Sequence, residues 1–129
     1  MDEIVDFSYD AVHDIDPGSN HIAIEPGEQL TMEECLNAIL IRSANEVSFA
    51  VAEHISGTTW QDFAPIMNER AKELGCVDSN FVNPNGLPNE DHYTSAYDLA
   101  MIGKAFFANE ALCKMTMTHM LHILPSERQ

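Results

Sequence analysis

"TMEECLNAILIRSANEVSFAVAEHISG", residues 31 to 57, reads as two helices and the joint between them. Thr31 followed by Glu34 is a capping box, in which the threonine hydroxyl and the glutamate carboxylate each accept one of the orphan amides at a helix start. Behind it, Cys35, Leu36, Ile39 and Leu40 recur on one face of a helix of roughly three turns. The second helix carries Val47, Ala50, Val51 and Ile55 on one stripe and stops at Gly57, a residue suited to the left-handed position after a helix end. Between them, Arg42-Ser43-Ala44-Asn45 stands where a loop would ordinarily bring Gly or Pro. Ser43 with Glu46 forms a second capping box, which accounts for the serine as a cap. It does not account for Asn45, a poor helix former inside a first turn. Two readings follow: the pair only caps a helix, or a hydroxyl and a carboxamide are held toward a ligand.

Outward from this pair, Phe63, Met67, Ala71 and Leu74 mark a third helix that ends at Gly75. Pro65 is tolerated only in its first turn, which makes Asp62 a better N-cap than Thr59. Thr94 and Ser95 open a fourth helix with Leu99, Ile102, Gly103 and Phe106 inward, and a shorter fifth follows Asn109. "HIAIEPGEQL" (21 to 30) alternates and then turns at Pro26-Gly27, which predicts a short strand over 21–25. "NFVNPNGLPNEDHY" (80 to 93) is loop, punctuated by Asn-Pro and Asn-Gly. "HMLHILP" (119 to 125) is short and apolar, and predicts a strand over 119–124. The chain is therefore mainly α with strand pieces at its edges. A terminal strand without a partner in the sequence implies a sheet elsewhere, so residues 1–129 read as one helical subdomain cut from something larger.

Composition narrows the function. At 129 residues the chain can bury a real core, and 45% hydrophobic with 21% charged residues is ordinary for a globular domain. Twenty-one acidic against 6 basic residues give a formal charge of −15. Such a chain has no basic patch to displace counterions from nucleic-acid phosphates, and it is repelled by anionic membrane surfaces. No apolar run approaches the length of a membrane span, and no charged-then-apolar leader opens the chain. Cys35, Cys76 and Cys113 are odd in number and widely separated, so they read as core thiols and not as zinc ligands or a disulfide framework. His119 and His122 would fall on opposite faces of a strand with no third ligand near. Residues 14–25 place acids at three positions of a calcium loop but lack the oxygen ligand at position five and the glycine at position six. No metal and no cofactor is expected.

In four segments the chain resembles the serine-type D-alanyl-D-alanine carboxypeptidases, the low-molecular-mass penicillin-binding proteins. They are "PGSNHIAIEPGEQLTMEECLNAILIRSANEVSFAVAEHISG" (17 to 57), "FAPIMNERAKELGCVDSNFVNPNGLP" (63 to 88), "HYTSAYDLAMIGKAF" (92 to 106) and "ILPSERQ" (123 to 129). In that family an SxxK, an SxN and a KTG-type strand converge on one site. Ser43-Ala44-Asn45 matches the SxN. No serine of this sequence is followed three residues later by lysine, and none of Lys72, Lys104 or Lys114 precedes Thr-Gly or Ser-Gly.

The resemblance implies the helical subdomain of the penicillin-binding/β-lactamase-like α/β fold, between SxxK and KTG, with Ser43 and Asn45 as its catalytic residues. In a complete enzyme the SxxK serine would attack the carbonyl between the terminal D-alanines of a peptidoglycan stem peptide. D-alanine would leave, and water would release the acyl-enzyme. Ser43 would relay a proton between the active-site lysines and the leaving amine, while Asn45 would donate to the substrate backbone and help hold the lysine. The implied partners are the stem peptide and β-lactams, in the cell envelope, with no nucleic acid and no membrane contact from this segment. A homodimer through the face left by the missing sheet is expected. The chain alone is expected to be inactive. Asn85 departs from the histidine that many members carry before Gly86-Leu87. A rival reading keeps the scaffold as a non-catalytic binding module that presents the 80–93 loop.

Overall fold

Thr31 ends a strand and starts a helix, and the rest of the chain is arranged around that point. In the computed structural model, which describes residues 1–16 and 18–117, strand β1 (Ile4–Asp6) pairs antiparallel with β2 (Gln29–Thr31). Ile4 lies opposite Thr31, Val5 opposite Leu30 and Asp6 opposite Gln29. Only the central pair turns inward, as the two-residue period of a strand requires, and Val5 and Leu30 are buried. Helix α1 (Tyr9–His13) follows β1, with the Ser8 hydroxyl accepting from the Ala11 amide at 3.0 Å.

Helix α2 (Met32–Arg42) begins with the reciprocal box read from the sequence: Glu34 N–H donates to the Thr31 hydroxyl at 3.2 Å and Thr31 N–H to the Glu34 carboxylate at 2.9 Å. Helix α3 (Asn45–Ser56) comes after a joint of two residues and ends at Gly57, whose φ of 76° is left-handed. A 3-10 turn (Trp60–Asp62) leads into α4 (Phe63–Glu73), and α5 (Ala96–Ala108) and α6 (Glu110–Thr116) complete the described chain. Pro65 sits in the first turn of α4, where its missing N–H costs nothing.

Helix α3 is the centre. Every residue from Asn45 to Ala52 is buried, so the expected single stripe is in fact a helix enclosed on all sides over two turns. Val47, Phe49, Ala50 and Val51 meet Val5, Phe7, Ala11, Leu30, Cys35 and Ala38 in one core. Trp60 covers its end, stacked on Phe49 with ring centroids 4.6 Å apart, and its indole N–H donates to Asp14 Oδ2 at 2.8 Å. Burial pushes the Cys35 thiol up to about 12, so it behaves as a small core residue. Among the described residues no helix is long and apolar enough to cross a membrane.

Three expectations are corrected. Residues 21–25 form no strand: Ala23 is left-handed at φ 58° and the Ile22 N–H is taken by a side chain, the Glu46 carboxylate, so the strand of this region is 29–31 instead. Leu99 is 54% exposed and not inward, because its neighbour Asp98 takes the buried position and turns the next residue outward. Ile55, placed on the buried stripe, is 50% exposed in a last turn that runs past the core. The strand predicted over 119–124, and with it His119 and His122, lies outside the described residues.

Candidate active site

The joint between α2 and α3 decides where the two candidate side chains go. Ser43 ends α2 in the left-handed conformation (φ 51°, ψ 44°), its N–H returning to the Ile39 carbonyl at 3.0 Å. A residue with a Cβ takes that conformation at a cost of roughly 1–2 kcal/mol, which glycine would avoid. Ala44, extended at φ −71° and ψ 105°, is the N-cap of α3 and offers no side-chain cap. The second capping box read from Ser43 and Glu46 is therefore absent. The left-handed turn moves Ser43 one residue too far back to reach the amides of α3. Its hydroxyl is exposed and makes no hydrogen bond within the described residues.

Asn45 is the first residue of α3 and 8% exposed. Its Nδ2 donates to the main-chain carbonyl of Asn20 at 2.8 Å, and its own N–H donates to the same oxygen at 3.0 Å. Glu46, 1% exposed, turns away and accepts from the Ile22 N–H at 3.1 and 3.3 Å. Burial raises the pKa of its carboxyl, against the lowering by the Ile22 amide and by His21, whose Nδ1 lies 3.9 Å away.

Ser43 and Asn45 line one cleft of about 450 Å3, with Asn20 on one wall, Ile39 and Ser48 beneath, and Pro84, Asn85 and Leu87 opposite. Sequence reasoning missed Ser48, although its place three residues after Asn45 puts it on the same helical face. It also missed Asn20, which acts through a main-chain carbonyl that no motif can encode.

The opposite wall is a built loop. Asn80 and Tyr93 exchange main-chain hydrogen bonds at 2.9 and 3.0 Å and close residues 80–93 at their base. Asn68 of α4 holds the segment leaving that base, accepting from the Phe81 N–H at 2.7 Å and donating to its carbonyl at 3.0 Å. At the tip, Asn83 accepts from the Gly86 N–H at 2.8 Å and donates to the Leu87 carbonyl at 3.0 Å, with Gly86 left-handed at φ 80°. Below the base, the fully buried Asp98 carboxylate accepts from the Ser79 hydroxyl and from the Val77 and Asp78 amides. Those donors hold its pKa below the usual carboxylate range, the Ser79 hydroxyl most of all.

The arrangement presents a hydroxyl without a partner among the described residues, an oriented carboxamide and a shaped wall to one open cleft. Such groups can pass or hold a proton and align an extended peptide, but the described residues place no lysine against them.

The family model for D-alanyl-D-alanine carboxypeptidases, peptidase S11, matches residues 1–124. The D-alanyl-D-alanine carboxypeptidase DacF of Bacillus subtilis is 44% identical over 107 residues, covering 83% of this chain and 27% of that protein. The chain thus spans about a quarter of the length of such curated relatives. Among solved structures, the carboxypeptidase DacD from Francisella tularensis superposes with a TM-score of 0.80 at 31% identity, over 89% of this chain and 27% of that one. Penicillin binding protein 6B from Escherichia coli superposes at 0.86 with 26% identity, over 95% of this chain and 39% of its own. The chain belongs to the D-alanyl-D-alanine carboxypeptidase family.

Proposed function

We propose that this chain is the helical subdomain, residues 1–129, of a D-alanyl-D-alanine carboxypeptidase, and that Ser43 and Asn45 are its share of the active site. The substrate is the D-Ala-D-Ala end of a peptidoglycan stem peptide in the cell envelope, and β-lactams acylate the same nucleophile. That nucleophile and its lysine come from an SxxK, and the opposite rim from a KTG strand, neither of which occurs in these 129 residues. One observation carries the reading: the Ser43 hydroxyl is held at a strained position, without a hydrogen bond among the described residues, on the cleft that Asn45 also lines. A serine that served only as a cap would bond to the helix it caps.

In this mechanism Ser43 passes the proton between the lysines and the leaving amine, a task for which a positioned group is worth about 10²–10⁴ in rate. Asn45 has one amide hydrogen on Asn20, which leaves its oxygen to accept from the lysine ammonium and its second hydrogen for the substrate carbonyl. In the polypeptide encoded with its flanking reading frame, Ser43→Ala and Asn45→Ala lower the acylation rate by penicillin and leave the fold intact. Near-parental acylation of both removes the assignment. The 129-residue chain itself takes no covalent label from a fluorescent penicillin.

The rival reading, a binding module that presents the 80–93 loop, is favoured by how thoroughly that loop is built. The flanking DNA separates the two: in-frame SxxK and KTG codons support the enzyme, and stop codons on both sides support the module. Either reading leaves Leu99 and Phe107, about 80° apart around the axis of α5, exposed together, which favours a two-fold dimer through an apolar face. A strictly monomeric species in concentrated sedimentation runs removes the dimer.

A further inference from the structure

The rotation of a terminal carboxamide is soft, and nothing intrinsic to asparagine decides which way its oxygen and nitrogen face. Asn45 is nevertheless specified, because the Asn20 carbonyl accepts both its side-chain and its main-chain N–H, at 2.8 and 3.0 Å. An oxygen there can only face the amide nitrogen, so the Asn45 Oδ1 is left for another donor. The carbonyl in turn belongs to a segment outside any sheet or helix, running through left-handed Ala23. What fastens that segment two residues on is the buried Glu46 carboxylate, bonded to the Ile22 N–H at 3.1 Å. His21 adds a second tie within the segment, its Nδ1 accepting from the Ala23 N–H at 3.0 Å.

Burying a carboxylate is unfavourable, and an apolar side chain at position 46 would extend the core at no such cost. A buried carboxylate at the next residue after Asn45 calls for a task. We propose that Glu46 is a positioning residue for the active site: by holding Ile22 it sets the Asn20 carbonyl, and through that carbonyl it fixes which face of the Asn45 carboxamide meets the substrate. Consecutive residues of one helix thus serve the same end, Asn45 reaching the cleft and Glu46 reaching the segment that aims it. The assignment rests on the reading of Asn45 given above, but the coupling itself is testable without catalysis.

The test is amide hydrogen exchange by NMR on the 129-residue chain, read at the Ile22 N–H, the Asn45 side-chain NH2 and the α3 amides of Val51 and Ala52. Glu46→Gln keeps an acceptor oxygen and retains protection at Ile22 and Asn45. Glu46→Ala speeds exchange at both by at least about tenfold, the scale set by losing one charge-assisted hydrogen bond, with Val51 and Ala52 unchanged. Asn45 protection that survives Glu46→Ala while Ile22 is released overturns the proposal. If Glu46→Ala unfolds α3, Asn45→Asp decides: a carboxylate facing the Asn20 carbonyl is expected to free Ile22, and an unchanged Ile22 rate overturns the coupling. Penicillin acylation of the longer polypeptide tells the two ideas apart. Near-parental acylation of Asn45→Ala ends the catalytic reading of Asn45, whereas loss of the exchange coupling ends only this one.

Discussion

Asp98 and Ser79 lie nineteen residues apart in sequence, yet the Ser79 hydroxyl donates to the Asp98 carboxylate at 2.7 Å, inside the fold and beneath the loop that walls the cleft. The same carboxylate takes the Asp78 amide at 2.8 Å, and Ser79 reaches Thr94 at 2.6 Å. One acid therefore ties the start of α5 to both roots of residues 80–93.

This knot fixes the acid limb of stability. The folded pKa of Asp98 is lowered, chiefly by the Ser79 hydroxyl, so its contribution is present above the unfolded carboxylate value and lost as pH falls through the folded one. Thermal melts followed by circular dichroism from pH about 7 to about 3 should show stability falling below about 4. Asp98→Asn is expected to start lower at neutral pH and to flatten that fall. Asp98→Ala is expected to admit limited proteolysis within 80–93 first. An acid limb unchanged in Asp98→Asn would place the origin elsewhere.

Glu46 carries the opposite sign. Its pKa is raised, mainly by burial, so its contribution is fully present below the unfolded value and lost as pH rises through the folded one. Glu46→Gln, which keeps the oxygen that meets Ile22, is expected to melt a few degrees higher than the parent at pH about 7 and to match it near pH about 4. A variant less stable at both values would contradict the cost assigned to burying the charge.

Ser43 occupies a left-handed position without being glycine. Ser43→Gly is expected to stabilise the chain by up to about 1 kcal/mol in urea unfolding, because relief of the strain exceeds the added chain entropy. Ser43→Ala should be neutral, since the hydroxyl has no partner to lose among the described residues. A destabilising Ser43→Ala would reveal a structural bond to that oxygen.

Phe49 is 4% exposed and sandwiched between the core and Trp60. Phe49→Ala is expected to lose about 3–5 kcal/mol, which approaches the whole stability of an ordinary domain. The measurement is the urea midpoint together with Trp60 fluorescence. A loss below about 1 kcal/mol would show that the stack is superficial.

The helical half of the fold was legible because its signals are local. Thr31 and Glu34 form the predicted box, Gly57 ends α3, and Ser95 and Asn109 cap α5 and α6 through their own side chains. The resemblance carried by four segments in the same order, with Ser43-Ala44-Asn45 as the matching motif, led to the family to which the chain belongs. What stayed hidden depends on distant partners. The pairing of Ile4–Asp6 with Gln29–Thr31 joins strands of three residues, too short for alternation to register, across a stretch that includes α1. The alternation of 21–25 misled because Ile22 and Ile24 pack against the core from an irregular segment, with the Ile22 N–H on Glu46 and not on a neighbouring strand. Leu99 looked inward because hydropathy favours leucine over aspartate, and only the donors around Asp98 reverse that order. The Asn20 carbonyl could not have been found from any side-chain pattern.

The joint at Ser43 and Ala44 contains no spare length, since α2 ends at Arg42 and α3 begins at Asn45. One residue inserted there would rotate α3 by about 100° about its axis, sweeping the carboxamide away from its space and burying polar edges in oil. The same insertion beside Asn89, in an exposed stretch of the opposite wall, would be absorbed by bulging outward. Length variation among relatives of this chain should therefore collect on one bank of the cleft and vanish from the other.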